Sequence, residues 1–461
     1  MLRHLFICIL LSLTTAPLWG ADAPRRPNII VLMTDDQRWD CLGCMGHPHL
    51  KTPHIDRLAR GGVTFDNAFV TTAICCVSRA NFYTGMYSGR HGVGDFSTPF
   101  TPEILAQTFP AVLKKAGYRT GCLGKWGIGG PAPVEVFDTY QATGGQGTFF
   151  EAVDGEKVHN SEVLARRTEA FLRAGKPDQP FCLLVLYKSP HDPFLPDPVD
   201  GDLFRDVTFP IPKTYNDDHF KALPDFIRAS EGRSRLMKRH PTPAAYQEFV
   251  RQYLRCLAGV DRSVGKIMAV LDELKLTDDT VVVFTSDHGF FLGEHGLSGK
   301  WLMHEESIRI PFIVHYPRLP QKMHGQRLDQ VTLSIDLAPT VLDYAGAAIP
   351  KQTDGVSLKP LLEGQPVEWR EHFFYEHHFH YGGRIPRSEG IRDTTWKYIK
   401  YFDVDPPYEE LYNLVNDPLE EKNLAQDPKH EKLLSVARTI YNLERKQYPP
   451  SALPKPAVQK P

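Results

Sequence analysis

Three runs in this chain, at residues 27–33 (PNIIVLM), Phe181–Leu186 (FCLLVL) and 281–285 (VVVFT), are apolar without a break and rich in β-branched residues. A strand with one face in water alternates apolar with polar residues, so an unbroken run marks a strand covered on both faces. Helices are the usual cover, and the sequence supplies them. Thr52-Pro53 opens a short helix with Ile55, Leu58 and Ala59 on one face and Gly61 at its end. Thr242-Pro243 opens a long one, whose apolar residues from Tyr246 and Val250 to Leu271 and Leu274 recur at alternating steps of four and three. Another helix, over 110–116, turns at Gly117-Tyr118 into a strand over 120–123. The class expected is α/β.

Each buried strand ends in polar residues. Asp35 and Asp36 follow the first run, Tyr187 to Asp192 with His191 the second, and Ser286-Asp287-His288-Gly289 the third, while the strand at 120–123 delivers Gly124-Lys125-Trp126. In open α/β sheets, ligands gather beyond the carboxyl ends of the strands. Adjacent carboxylates placed there repel each other, and a cation relieves them; standing alone, such a pair reads first as a helix cap or turn. Imidazole suits proton transfer near neutrality, although a loop histidine is commonly a bystander. Residues 200–245, polar and studded with proline, read as an insertion. From about residue 347 the segments shorten, and those at 375–380, 392–401 and 410–414 read as strands of a small antiparallel sheet. Alternation along a strand would send His377, His378 and His380 to opposite faces. That favours substrate contact or plain exposure over a metal site.

The stretch 73–85 (AICCVSRANFYTG) sets a thiol, a hydroxyl and an arginine at short spacing before a Thr-Gly. Two adjacent cysteines by themselves read as buried or bridged thiols. With Ser78, Arg79, Thr84 and Gly85 in step, the stretch resembles the signature of the type I sulfatases, Cys-x-Pro-Ser-Arg followed by x-x-x-x-Thr-Gly, of the alkaline phosphatase superfamily. Only Cys75 fits, since Arg79 lies four residues beyond it, and Val77 stands where the family has Pro. The resemblance runs on through Arg90-His91-Gly92, Gly124-Lys125-Trp126, Ser189-Pro190-His191, Asp287, Gly293 to Leu297, Lys300 and Glu410 to Leu414. Where the family commonly follows Gly-Lys-Trp with His, this chain has Gly127.

The resemblance implies a large, mostly parallel sheet flanked by helices, with a smaller C-terminal antiparallel-sheet domain. It implies that the formylglycine-generating enzyme oxidises Cys75 to formylglycine. One hydroxyl of the hydrated aldehyde attacks sulfur, and loss of the proton of the second expels sulfate and restores the aldehyde. Asp35, Asp36, Asp287 and His288, with the converted Cys75, would hold one divalent ion, calcium first and magnesium second because the donors are rich in carboxylates. Arg79 would hold the attacking group. Lys125, Lys300 and His191 would neutralise the sulfate oxygens, and His191 or Lys300 would protonate the departing alcohol. His91 reads as structural.

With 53 basic and 55 acidic residues the chain has no charge bias toward nucleic acid or an acidic membrane. Arg3 and His4 precede an apolar run over 5–13, and Ala21-Asp22-Ala23 offers a cleavage site. That run is too short to span a bilayer comfortably, so stable membrane insertion is not expected. The division expected is an export signal at 1–23, a catalytic domain at 24–346 and a small α+β subdomain at 347–461, in a periplasmic or extracellular protein. Export permits disulfides, and Cys41 with Cys44 is a candidate pair; Cys122, Cys182 and Cys256 read as core residues. The function expected is a sulfuric ester hydrolase acting on a sulfated small molecule or glycan. Two alternatives stand beside it: a phosphate or phosphonate ester hydrolase of the same superfamily, and a catalytically silent sulfated-glycan-binding protein, suggested by Val77 and Gly127 at two functional positions.

Overall fold

The computed structural model describes residues 26–379 and 381–448; the stretch expected to be an export signal, His380 and the tail after Tyr448 lie outside these residues. Strands β1 (Asn28–Thr34), β2 (Gly62–Phe65), β3 (Arg119–Lys125), β4 (Thr139–Thr143), β5 (Phe181–Leu186), β6 (Thr280–Ser286), β7 (Phe312–His315) and β8 (Gln326–Leu328) form one sheet in the order β8-β2-β7-β6-β1-β5-β3-β4. Only β7 runs against its neighbours; the remaining pairs are parallel. The three unbroken apolar runs are therefore the adjacent central strands β6, β1 and β5.

Both faces of these strands are covered, which is why neither needs polar residues. Ile29, Val31 and Met33 of β1 join Leu184 and Leu186 of β5 and Val281 and Val283 of β6 in one core. Helices α1 (Pro53–Arg60), α2 (Cys75–Thr84), α3 (Phe109–Lys115), α4 (Asn160–Arg173), α5 (Pro243–Glu273) and α6 (Leu337–Tyr344) divide between the faces. α2, α3 and α6 contribute Phe82, Leu113 and Val341 to that first core. Ile30 and Leu32 point the other way and meet Leu58 of α1, Phe171 of α4 and Val264 and Ile267 of α5. No helix of the described residues is long and apolar enough to cross a membrane.

Strands β9 (His372–His377), β10 (Ser388–Asp393), β11 (Trp396–Tyr401) and β12 (Tyr408–Asn413) make a separate antiparallel sheet, backed by α7 (Glu431–Gln447). Its Phe373, Phe374, Tyr398 and Leu411 share the first core, so it is packed onto the main body. A buried ion cluster adds to the join. Lys397 of β11 lies 2.9 Å from Glu305 and 2.7 Å from Glu420, and Arg392 of β10 lies 3.2 Å from Glu305.

Three expectations are corrected. The stretch 392–401 is not one strand: β10 and β11 are joined by a turn in which the Asp393 carboxylate accepts from the backbone N–H of Thr395 at 3.0 Å. Cys41 and Cys44 are unpaired, as is every cysteine among the described residues; Cys41 packs with Leu50 and Tyr253, whereas Cys44 packs against the core of α1 and α5. His377 and His378 are not exposed. His377 is fully buried, and His378 is bonded to Glu389 at 3.0 Å. The stretch 200–245, expected as an insertion, contains short helices at Asp217–Ala222, Asp225–Arg228 and Glu231–Arg239.

Lys397 is the charge that keeps Glu305 and Glu420 together out of water. Lys397→Met leaves Glu420 without its cation, and a loss of about 3–5 kcal/mol is expected, read as a lower midpoint of urea unfolding.

Candidate active site

Register brings the ends of four strands level: Thr34 pairs with Ser286, and Leu186 with both Met33 and Gly124. The residues just past these ends face one cleft. On a continuing strand Asp35 and Asp36 would point to opposite sides. Asp36 instead takes a φ of 71°, a left-handed conformation that Asp tolerates better than most residues, and both carboxylates turn into the cleft. Tyr253 of α5 fixes that turn, its hydroxyl donating to the Asp36 carbonyl at 2.7 Å.

Helix α2 explains the spacing of the cysteine motif. Cys75, Ser78 and Arg79 stand at i, i+3 and i+4 and so share a face. From it Arg79 Nε donates to Asp287 Oδ2 at 2.9 Å, Arg79 Nη1 to the carbonyl of Lys125, and Ser78 Oγ to the carbonyl of Asp287. Cys76 and Val77 point away, into an apolar cluster with Ile74, Trp301 and Ile385. Gly85 ends the helix with a φ of 71°, where a Cβ would come within 2.8 Å of Thr353.

The Cys75 thiol sits at the centre. Lys300 Nζ lies 3.2 Å from its sulfur, His288 Nε2 3.3 Å and Asp35 Oδ1 3.5 Å. Lys300 also donates to Asp36 Oδ1 at 2.6 Å, and Lys125 Nζ pairs with Asp35. The Asp36 N–H donates to Asp287 Oδ1 at 3.1 Å. His191 stands at the mouth, its Nε2 3.8 Å from Asp36 and its Nδ1 2.6 Å from the carbonyl of Asp192. The structure thus places Asp35, Asp36, Cys75, Arg79, Lys125, His191, Asp287, His288 and Lys300 together. His91 is apart from them, bonded to Asn81 at 2.7 Å.

Charge governs this cleft because its groups are withdrawn from solvent. Burial would raise the pKa of Asp35, but the charges of Lys125, His191 and Arg79 outweigh it and hold the carboxyl well below the usual range. Burial raises Asp36, with Asp35 and Asp287 adding repulsion and Lys300 and His288 opposing it. Burial opposes a charge on His288, yet the Asp287 carboxylate prevails and pushes its pKa up to about 9. At His191 burial wins over Asp35, and the imidazole falls well below its ordinary value. Asp35, Cys75, Asp287 and His288 each offer a ligand atom, all within 4.8 Å of one another, and Asp35, Asp36 and His191 form a second such group. Crowded buried carboxylates with an imidazole beside them are a donor set that fits a divalent cation.

Sequence reasoning missed two neighbours. Gln146 accepts from Lys125 through its Oε1 at 2.8 Å, and its carbonyl accepts from Lys188 at 2.9 Å. Lys188 lies inside the run that leads to His191, a usable signal; Gln146 sits in a glycine-rich loop that gives none. The stretch 200–245 also reaches the site, where Arg239 pairs with Asp192 at 2.7 Å. Gly127, at a φ of 79°, lies so close to Arg79 that a Cβ would be 2.5 Å from its Cδ. No imidazole fits there unless Arg79 moves.

The sequence pattern of the sulfatases matches residues 27–347, and that of the C-terminal region of N-sulphoglucosamine sulphohydrolase matches residues 293–446. The chain is similar to an N-acetylglucosamine-6-O-sulfatase of Bacteroides thetaiotaomicron, 29% identical over 95% of this chain and 89% of that protein. It is similar also to an arylsulfatase of Clostridium perfringens, 26% identical over 85% of this chain and 90% of that one. A solved structure bound to its substrate D-glucosamine-2-N,6-O-disulfate superposes with a TM-score of 0.82 at 28% identity, covering 92% of this chain and 98% of the other.

The close approach at Gly127 has a measurable cost. Gly127→Ala combines a left-handed Ala with a clash on Arg79, and a loss of about 1–3 kcal/mol is expected, read by thermal unfolding.

Proposed function

The chain belongs to the sulfatase family, and from that premise we propose that it removes sulfate from a sulfated carbohydrate, with residue 75 as formylglycine and one divalent ion, calcium before magnesium, beside it. The observation that carries this reading is the convergence of Asp35, His288 and Lys300 within 3.5 Å of the γ atom of residue 75. An oxygen at that γ position, which the oxidised residue would present, makes the donor set of Asp35, Asp36, Asp287 and His288 better suited to a hard cation. Three carboxylates, Asp35, Asp36 and Asp287, stand against three fixed cations, Arg79, Lys125 and Lys300, all buried. A divalent ion added to that balance leaves the site positive, which suits a sulfate ester whose own charge repels nucleophiles.

As a hydrate, the aldehyde would supply one hydroxyl to attack sulfur and a second whose deprotonation lets sulfate leave. The chain's own residues set up both events. Arg79 is fixed by Asp287 and the Lys125 carbonyl, so it orients residue 75 from the same helix face. Lys125 and Lys300 present ammonium groups to the sulfate oxygens. His191 donates its Nδ1–H to the carbonyl of Asp192, which turns Nε2 toward the cleft. Burial keeps that nitrogen unprotonated without substrate, so it would protonate the departing alcohol only once the negative charge of a bound sulfate has raised its pKa. Lys300, held as an ammonium by Asp36, is the other donor within reach. Gly127 provides no base, and with His288 among the ligands of the ion, Lys300 Nζ, 3.2 Å from the γ atom of residue 75, is the protonatable atom left to take the second hydroxyl's proton, once it has passed its own to the alcohol.

One relative named an N-acetylglucosamine-6-O-sulfatase and the complex with a disulfated glucosamine support an amino-sugar sulfate as the first class to test. On the same reading residues 1–23 direct export, residues 24–346 carry the site, residues 347–461 form a small subdomain, and the formylglycine-generating enzyme is the maturation partner.

The chain is to be produced alongside that maturing enzyme. Mass spectrometry is expected to find an aldehyde in the peptide carrying Cys75, and the preparation is expected to release sulfate from 6-sulfated N-acetylglucosamine; Cys75→Ala should lower kcat by about 1,000-fold or more. An intact thiol in a fully active preparation rules out the nucleophile, and faster turnover of phosphonate or phosphate esters rules out the sulfate preference. A chelator is expected to abolish activity and calcium to restore it, with elemental analysis finding a single ion per chain; two zinc ions would instead indicate a phosphatase.

A further inference from the structure

A cavity of about 490 Å³ opens beside Lys125, walled by β4, the loop after it and the segment following β5, with Gln146, Glu151, Asn160, Arg167 and Lys188 on its surface. Its volume is that of a small-ligand site. The three cations on its wall are not equivalent. Lys125 is committed to Asp35, and Arg167 to Glu151 at 2.7 Å. Lys188 has no carboxylate at ion-pair distance among the described residues. Its ammonium donates to the carbonyl of Gln146 at 2.9 Å and stands 4.9 Å from the centre of the Phe149 ring.

That isolation matters because the residue is only 6% exposed. Burial pulls its pKa down, with Asp35 opposing from beyond contact distance. An ammonium has three donors, and one buried with a single bond is costly unless something brings the missing charge. Nothing in the reaction at residue 75 uses Lys188. It is nonetheless tied to the reacting end, since Gln146 holds Lys188 by its carbonyl and Lys125 by its side chain. A group bound at Lys188 therefore sits one residue's width from a sulfate bound at Lys125, a gap that one sugar or its neighbour can bridge.

We propose that Lys188 receives a second anionic group of the substrate, a sulfate or a carboxylate on the same sugar or the next, while the reacting sulfate lies against Lys125. The proposal rests on the sulfatase reading and narrows it: the substrate is a glycan with at least two anionic groups close together. A neutral sugar bearing one sulfate leaves Lys188 facing an unfilled cavity.

Four probes test it: 4-methylumbelliferyl sulfate, 6-sulfated N-acetylglucosamine, the same sugar with an N-sulfate in place of the acetyl, and a 6-sulfated disaccharide containing a uronate. In Lys188→Met, kcat/KM for a two-anion probe relative to the one-anion sugar is expected to fall at least about tenfold, through KM, and Lys188→Arg is expected to recover most of it. A fall confined to the N-sulfated sugar assigns a sulfate to this position, and one confined to the uronate assigns a carboxylate. An equal fall on all probes, or none, overturns the proposal. The same ratio is read without turnover, by calorimetric binding of the N-sulfated and N-acetylated sugars to Cys75→Ala with and without Lys188→Met; a ratio unmoved by the lysine overturns the subsite. Failure of the unmutated chain to hydrolyse any probe counts against the hydrolase reading, while the binding ratio still decides the subsite.

Discussion

The pairing of Arg79 with Asp287, both sealed from solvent, is the contact on which the arrangement depends. It joins α2, which carries residue 75, to the end of β6. Arg79 reaches on to the carbonyl that ends β3, and its Nη2 lies 3.6 Å from Asp35 at the end of β1. One guanidinium thereby ties a helix to three strands. A planar fork with several donors can do this, and a lysine at the same position could not. The closeness of Gly127 to the Arg79 stem is the steric counterpart of that reach: the backbone must pass without a side chain so that the arginine can lie flat across it.

The rest of the cleft is shaped by the need to neutralise charge away from solvent. Burying one carboxylate is unfavourable, and burying three in a single site is tolerable only if cations are built around them. Lys125 answers Asp35, Lys300 answers Asp36, and Arg79 answers Asp287. The pairs are contributed by different strands and loops, so the site exists only when the sheet is assembled with its strand ends level. Lys188 is buried as these are but has no such answer, and the cavity it faces is where a ligand can supply one.

Much of this is legible in the sequence. Unbroken apolar runs locate β1, β5 and β6, and the polar residues after them mark the cleft, because a buried strand can carry charge only where it ends. The spacing of Cys75, Ser78 and Arg79 is legible as a motif, and the structure gives its cause in helical periodicity. The features that are not legible depend on distant partners. Nothing local announces that Gln146 will meet Lys125, or that Asp393 will break 392–401 into two strands by capping a turn. The burial of His377 escapes a local reading for the same reason: a small sheet reads as a free-standing layer, whereas the inner face of this one is packed on the main core.

Position 75 is completely enclosed, and part of its enclosure comes late in the chain. Lys300 and Trp301 precede Glu305, which Arg392 and Lys397 hold from the second sheet, and Ile385 closes the apolar side. A modifying enzyme cannot reach that thiol through a finished protein. If Cys75 is to be oxidised, the reaction has a deadline set by synthesis: it must happen while the last third of the polypeptide is still unmade or unfolded, and a chain that folds first is locked as the thiol.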